Sequence, residues 1–144
     1  MDLKEAWTRS IELMDKHGLI AKGWKFDMNM RRSSLGLCSH GRNTIELSAP
    51  LTKANTWDRM KRTVLHEIAH ALIGPGHGHD MIWKSICLAI GGDGLVKADD
   101  ITLPQYKWNA ICPEHGHVGG WSRKPREQYH CTRCHNRVRI EAGL

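Results

Sequence analysis

The run TVLHEIAHALIGPGHGHDMIW, from Thr63 to Trp83, concentrates residues whose types and spacing suit metal chemistry. His66, Glu67 and His70 stand in an H-E-x-x-H order. On a helix, residues four apart lie one above the other, so the two imidazoles can face one metal ion with Glu67 beside them. A catalytic zinc takes three protein ligands and leaves one position for water, and an adjacent carboxylate can take that water's proton as it attacks a carbonyl. The pattern therefore predicts a catalytic zinc with His66 and His70 as ligands and Glu67 as general base. The loop that follows offers His77 and His79 as the third ligand. In metzincin spacing a glycine lies three residues after the second histidine and the third histidine six after it; here Gly74 and His77 each fall one residue late.

A second set lies near the C-terminus. Cys112 and His115 form C-x-x-H, and Cys131 and Cys134 form C-x-x-C, with fifteen residues between the pairs. Two such pairs are the sequence form of a zinc ribbon, in which each turn supplies two ligands and the metal replaces a core too small to hold itself together. His117 is an alternative to His115, whereas His130 and His135 each adjoin a cysteine whose pair is already complete. Five cysteines without an export signal argue for metal ligation over disulfides. Cys38 and Cys87 fall in apolar surroundings and read as small hydrophobes.

The elements that must position these residues follow from periodicity. Asp2 to His17 has apolar residues at helical spacing and ends at Gly18. Trp24 to Met30 alternates as a half-buried strand, and Leu35 to Cys38 with Thr44 to Ser48 reads as a hairpin through Ser39, His40, Gly41 and Arg42. His40 in this polar turn reads as a solvated side chain. The strand Asn43 to Ala49 directly precedes the metal helix, so its edge is expected to pair with an extended peptide. Pro50 ends that strand, Asn55 with Asp58 resembles a capping box, and a helix runs from about Thr56 to Ile73, closed by Gly74, Pro75 and Gly76. A second apolar helix is expected from Asp80 to Ile90, then a linker from Asp93 to Pro104.

Size and charge bound the rest. A chain of 144 residues holds one main core with a small appendage. No apolar run approaches membrane-spanning length, and the first residues alternate charged with apolar, unlike a signal peptide. These features predict a cytoplasmic or nucleoid-associated protein with no membrane partner. The 21 Lys and Arg against 15 Asp and Glu are compatible with nucleic acid without requiring it. Arg123, Lys124, Arg126, Arg133, Arg137 and Arg139 cluster on the tail against Glu127 alone, with Trp121 and Tyr129 interleaved as stacking platforms for bases. A solvated face is the competing reading of the same charges.

HEIAHAL followed by GHGHDMIW resembles the SprT-like metallopeptidases, relatives of the DNA-dependent protease Spartan, and the C-terminal ribbon extends the likeness, most specifically over residues 63 to 91 and 106 to 140. The resemblance implies a third histidine opening the next helix with an aromatic residue four positions on, which favours His79, with Trp83 after it, over His77. It also implies a ribbon with cysteine at all four positions, from which His115 departs. The expectation is an α+β zincin-like core, helices packed on a small antiparallel sheet, over residues 1 to 98, and a basic zinc ribbon over 99 to 144. Each unit would hold one zinc, catalytic in the first and structural in the second. By the same likeness the substrate is protein, bound or crosslinked to DNA, with the ribbon as the DNA contact. The alternatives are a non-catalytic docking module with two structural zincs, and a zinc hydrolase acting on small peptides or other amides.

Overall fold

The computed structural model describes residues 1 to 143; Leu144, the last residue of the expected ribbon unit, lies outside them. The chain divides into two compact units, Met1–Ile101 and the remainder from Thr102.

The first unit opens with α1 (Leu3–Lys16), capped by Asp2, whose carboxylate accepts the Glu5 N–H. Its buried positions Ala6, Ser10 and Met14 recur every four residues, so one stripe faces the core. Strands β1 (Lys25–Asn29), β2 (Gly36–Ser39) and β3 (Thr44–Ser48) form a sheet in the order β1-β3-β2. The β2–β3 pair is the expected antiparallel hairpin, while β1 runs parallel to β3, so this sheet is mixed. With β3 in the centre, both its edges are already paired. The outer edges of the sheet therefore belong to β1 and β2, not to the 43–49 strand.

Pro50 does not simply end β3. It sits in the first turn of a short helix, α2 (Ala49–Ala54), where a missing N–H costs nothing, and Ser48 caps that helix by accepting the Leu51 N–H. Asn55 spends its side-chain amide on the Leu51 carbonyl, which leaves Thr56 to cap α3 (Trp57–Ile73) through the Arg59 N–H. The expected Asn55 capping box is thus replaced by a threonine cap one residue later.

Helix α3 is buried on two sides. Met60, Val64 and Ile68 meet Met14, Phe26, Ile45 and Leu47 in the main core. Each fully buried side chain of this kind contributes roughly 1.5–3 kcal/mol. Ala69 packs instead with Trp83 and Cys87 of α4 (Met81–Ala89). Between these faces His66, Glu67 and His70 turn toward an open cleft.

The segment after α4 is not a free linker. Asp100 pairs with Arg59 at 3.0 Å and with Arg62 at 2.7 Å, and Asp93 lies 3.8 Å from Arg62. These pairs hold residues 93 to 101 against α3, within the first unit, Met1–Ile101.

The second unit is a three-stranded antiparallel sheet, β4 (Trp108–Cys112), β5 (Gly116–Trp121) and β6 (Arg139–Ala142), in the order β5-β4-β6. Its buried hydrophobic cluster is small: Ala110, Cys112, Cys131 and Val138. A core of that size needs a cross-link or a metal. Among the described residues no helix is long and apolar enough to cross a membrane.

Candidate metal centres

Helical spacing places His66 and His70 on one face of α3, and the chain must reverse to bring a third ligand to them. Gly74 ends the helix at φ +83°, a conformation that favours glycine, and the following loop leads to Asp80, which caps α4 by accepting the Trp83 N–H at 2.9 Å. This reversal carries His79 back over α3. Its Nε2 lies 3.0 Å from His66 Nε2 and 3.1 Å from His70 Nε2. Three imidazole nitrogens that converge in this way cannot all satisfy one another, since a ring nitrogen is either a donor or an acceptor. A shared cation resolves the conflict, and all-nitrogen donors with this spacing suit zinc. His77 is outside this cluster; its Nδ1 bonds to Asp80 Oδ2 at 2.8 Å.

Trp83 forms the floor of the cluster. It is fully buried, and its ring centroid stands 4.6, 5.4 and 4.7 Å from those of His66, His70 and His79. On the other side the Leu95 backbone bonds to the His66 ring. Burial, and then the charges of neighbouring histidines, push His66 and His70 down to about 4, so both are neutral and ligand-ready at neutral pH.

Glu67 is only 7% exposed, and burial pushes its carboxyl up to about 7. The cause lies in the closeness of β2. A Cβ built on Gly36 would fall 2.8 Å from Thr63 Cγ2 and 3.1 Å from Glu67 Cγ, so only glycine lets the strand lie this near α3. Cys38 on the same strand is pushed up to about 12 by burial and then by Glu67, which leaves it an inert thiol. The metal-facing groups line an open cleft of about 700 Å³, with β2, Arg32 to Leu35, His40 and the 93–101 segment around them.

In the second unit Cys112, His115, Cys131 and Cys134 converge. Cys112 Sγ is 3.5 Å from Cys134 Sγ and 3.6 Å from His115 Nδ1, and Cys131 Sγ is 3.5 Å from the same Nδ1. Backbone N–H groups of Cys134 and Arg133 pull the Cys131 thiol down to about 6, toward the thiolate a metal requires. Three sulfurs and one nitrogen at these distances fit a closed structural zinc site. His117 lies on β5 beside Tyr106, away from the cluster, with its Nε2 buried and unpaired.

The tail cations Arg123, Lys124, Arg126, Arg133, Arg137 and Arg139 are all exposed. Lys124 lies over the Trp108 ring at 5.2 Å, and Arg139 pairs with Glu141. Trp121 and Tyr129 stand 4.9 Å apart; Trp121 packs on the ribbon core, and Tyr129 is 40% exposed.

Sequence reading missed three contributors to the first site: Gly36, Leu95 and the Asp93 and Asp100 pairs. An isolated glycine inside a strand does signal close backbone approach. The Leu95 carbonyl and the distant ion pairs have no local signature.

Comparison with protein-family models matches residues 5–102 to the SprT-like family. No curated protein and no solved structure matches the chain.

Proposed function

The chain belongs to the SprT-like family, and from that premise we propose that it is a zinc-dependent metalloendopeptidase. The observation that carries this reading is the buried Glu67 carboxyl next to three converging histidine nitrogens in a cleft open to solvent. His66, His70 and His79 would hold the catalytic zinc. When bound, zinc supplies Lewis acidity to water and to a carbonyl.

Glu67 takes the proton released as water attacks the scissile carbon, holds it on a carboxyl oxygen, and returns it to the leaving nitrogen. A carboxyl poised near neutrality suits both steps. The open edge of β2 borders the cleft along Gly36 to Cys38, so an extended peptide can add to it through main-chain hydrogen bonds, its carbonyl lying across the histidine cluster. Protein is therefore the proposed substrate. The exposed arginines, Lys124 and Tyr129 of the ribbon support a second part of the proposal, that this unit binds DNA and directs cleavage to proteins bound or crosslinked to it.

Cleavage of an unfolded protein and of a DNA-bound protein by the zinc-loaded chain, with and without DNA, tests both parts. Cleavage of both substrates, faster with DNA, is expected. Cleavage that ignores DNA removes the DNA role, and no cleavage in any arm leaves a docking module instead.

A further inference from the structure

Water attack on an amide builds negative charge on the carbonyl oxygen, and a donor already aimed at that oxygen lowers the barrier strongly. Glu67 accepts a proton and cannot fill this role; zinc, when bound, would polarise the carbonyl, and a hydrogen-bond donor in the cleft would add to that stabilisation. Most of the cleft's cationic and imidazole groups are engaged. Arg59 and Arg62 pair with Asp100, Arg62 also with Asp93, His77 with Asp80, and Arg32 has a partner of its own. Arg59 keeps a buried Nη1 without a hydrogen-bond partner, but it stands about two helical turns before His66 on α3. Lys97 is exposed on a flexible stem, which must be ordered at the moment of reaction.

His40 differs from all of these. It is half-buried and lines the cleft with Glu67 and the three histidines. Its ring rests on Trp24, with centroids 5.7 Å apart and planes at 88°, and no described residue hydrogen-bonds to its nitrogens. Strand β2 explains its position. Gly36, at the start, abuts Thr63 and Glu67. From there the chain advances ~13 Å to His40 at strand rise, while Thr63 to His70 advances ~10 Å along the helix. His40 directly follows the last residue of β2 and lines the same cleft as His70. Glu67 and His40 consequently lie toward opposite ends of the β2 border of the cleft.

We propose that His40 is a catalytic hydrogen-bond donor that stabilises the oxyanion of the peptide carbonyl during hydrolysis, an inference that rests on the metallopeptidase reading. The water oxygen bonds to the carbonyl carbon, the C–O π pair moves to the carbonyl oxygen, and the water proton passes to Glu67. The His40 N–H donates to that oxygen and keeps its proton. On collapse the C–O double bond reforms, the C–N bond breaks, and the nitrogen leaves with the bonding pair and takes the proton from Glu67.

His40→Phe keeps a ring against Trp24 but has no N–H, and His40→Gln restores a donor. His40→Phe should lower kcat roughly 10²–10³-fold, leave KM within about twofold, and leave zinc per chain unchanged; His40→Gln should recover part of the rate. A readout independent of turnover is affinity for a phosphonamidate peptide, which mimics the tetrahedral carbon. His40→Phe should weaken it at least about tenfold while leaving a matched peptide hydroxamate unaffected. Wild-type kcat, equal phosphonamidate affinity, or loss of zinc in His40→Phe would each overturn the proposal. If wild type and Glu67→Gln both cleave nothing, the metallopeptidase reading fails separately, and the phosphonamidate comparison still decides whether His40 meets a tetrahedral oxygen.

Discussion

The indole N–H of Trp83 donates to the backbone carbonyl of His66 at 3.3 Å, so the residue that floors the histidine cluster is also bonded to the helix that supplies two of its members. Trp83→Phe keeps a ring there and removes the bond, at a net stability cost of about 1 kcal/mol. Zinc affinity at the first site should fall roughly tenfold, the usual scale for groups that orient ligands. A chelator competition should show this weaker site beside an unchanged ribbon zinc. Trp83→Ala should cost about 3–5 kcal/mol, read by denaturant unfolding.

Gly36→Ala should displace β2 from α3, because the new methyl would sit 2.8 Å from Thr63 Cγ2. Overpacking of this kind costs about 1–3 kcal/mol and moves the wall against which Glu67 is held. Cleavage should fall in the single variant. Removing the opposing methyl in Gly36→Ala with Thr63→Ser should recover stability beyond the sum of the two single effects, a coupling that a double-mutant cycle measures.

Acid should destabilise the metal-free first unit in a defined window. His66 and His70 are held down to about 4, against an ordinary value of 6.5. As pH falls through that interval the unfolded chain binds protons that the folded chain does not, and stability is lost. Glu67 acts in the opposite sense. With its carboxyl raised from 4.5 to about 7, the folded state keeps a proton that the unfolded state releases, so its contribution is lost as pH rises through that range. Two histidines outweigh one glutamate between pH 4.5 and 6.5. The metal-free Tm should therefore drop on acidification, and more steeply in Glu67→Gln.

At the ribbon, His115→Ala should release zinc and unfold the second unit, since its Nδ1 faces two of the cysteine sulfurs. His115→Cys should retain the metal with four sulfurs. His117→Ala should leave zinc per chain unchanged, because that ring is not among the converging donors.

Much of this molecule is legible in its sequence because local rules dominate it. Apolar spacing predicts α1, α3 and α4, with their ends near Gly18, Gly74 and Gly91. The α+β class and the ribbon follow from strand alternation and from paired ligands at short spacing. Where reading failed, a non-local partner decided the outcome. Pro50 looks like a terminator until Ser48 is seen to cap the turn it occupies. Asp93 to Ile101 looks like a linker until Arg59 and Arg62 meet its acids. β3 looks like an edge until β1 pairs with it in parallel. His40 reads as a solvated turn residue; it lies outside the metal cluster, and its contact with Trp24 at the border of the cleft has no local signature.

The central claim is that the first site is catalytic and that Glu67 moves the proton. Its most direct test is Glu67→Gln, with zinc per chain and cleavage of an unfolded protein measured on the same preparation. Two zinc ions retained, with cleavage reduced at least about 10³-fold, is the predicted result. Unchanged cleavage in Glu67→Gln would contradict it.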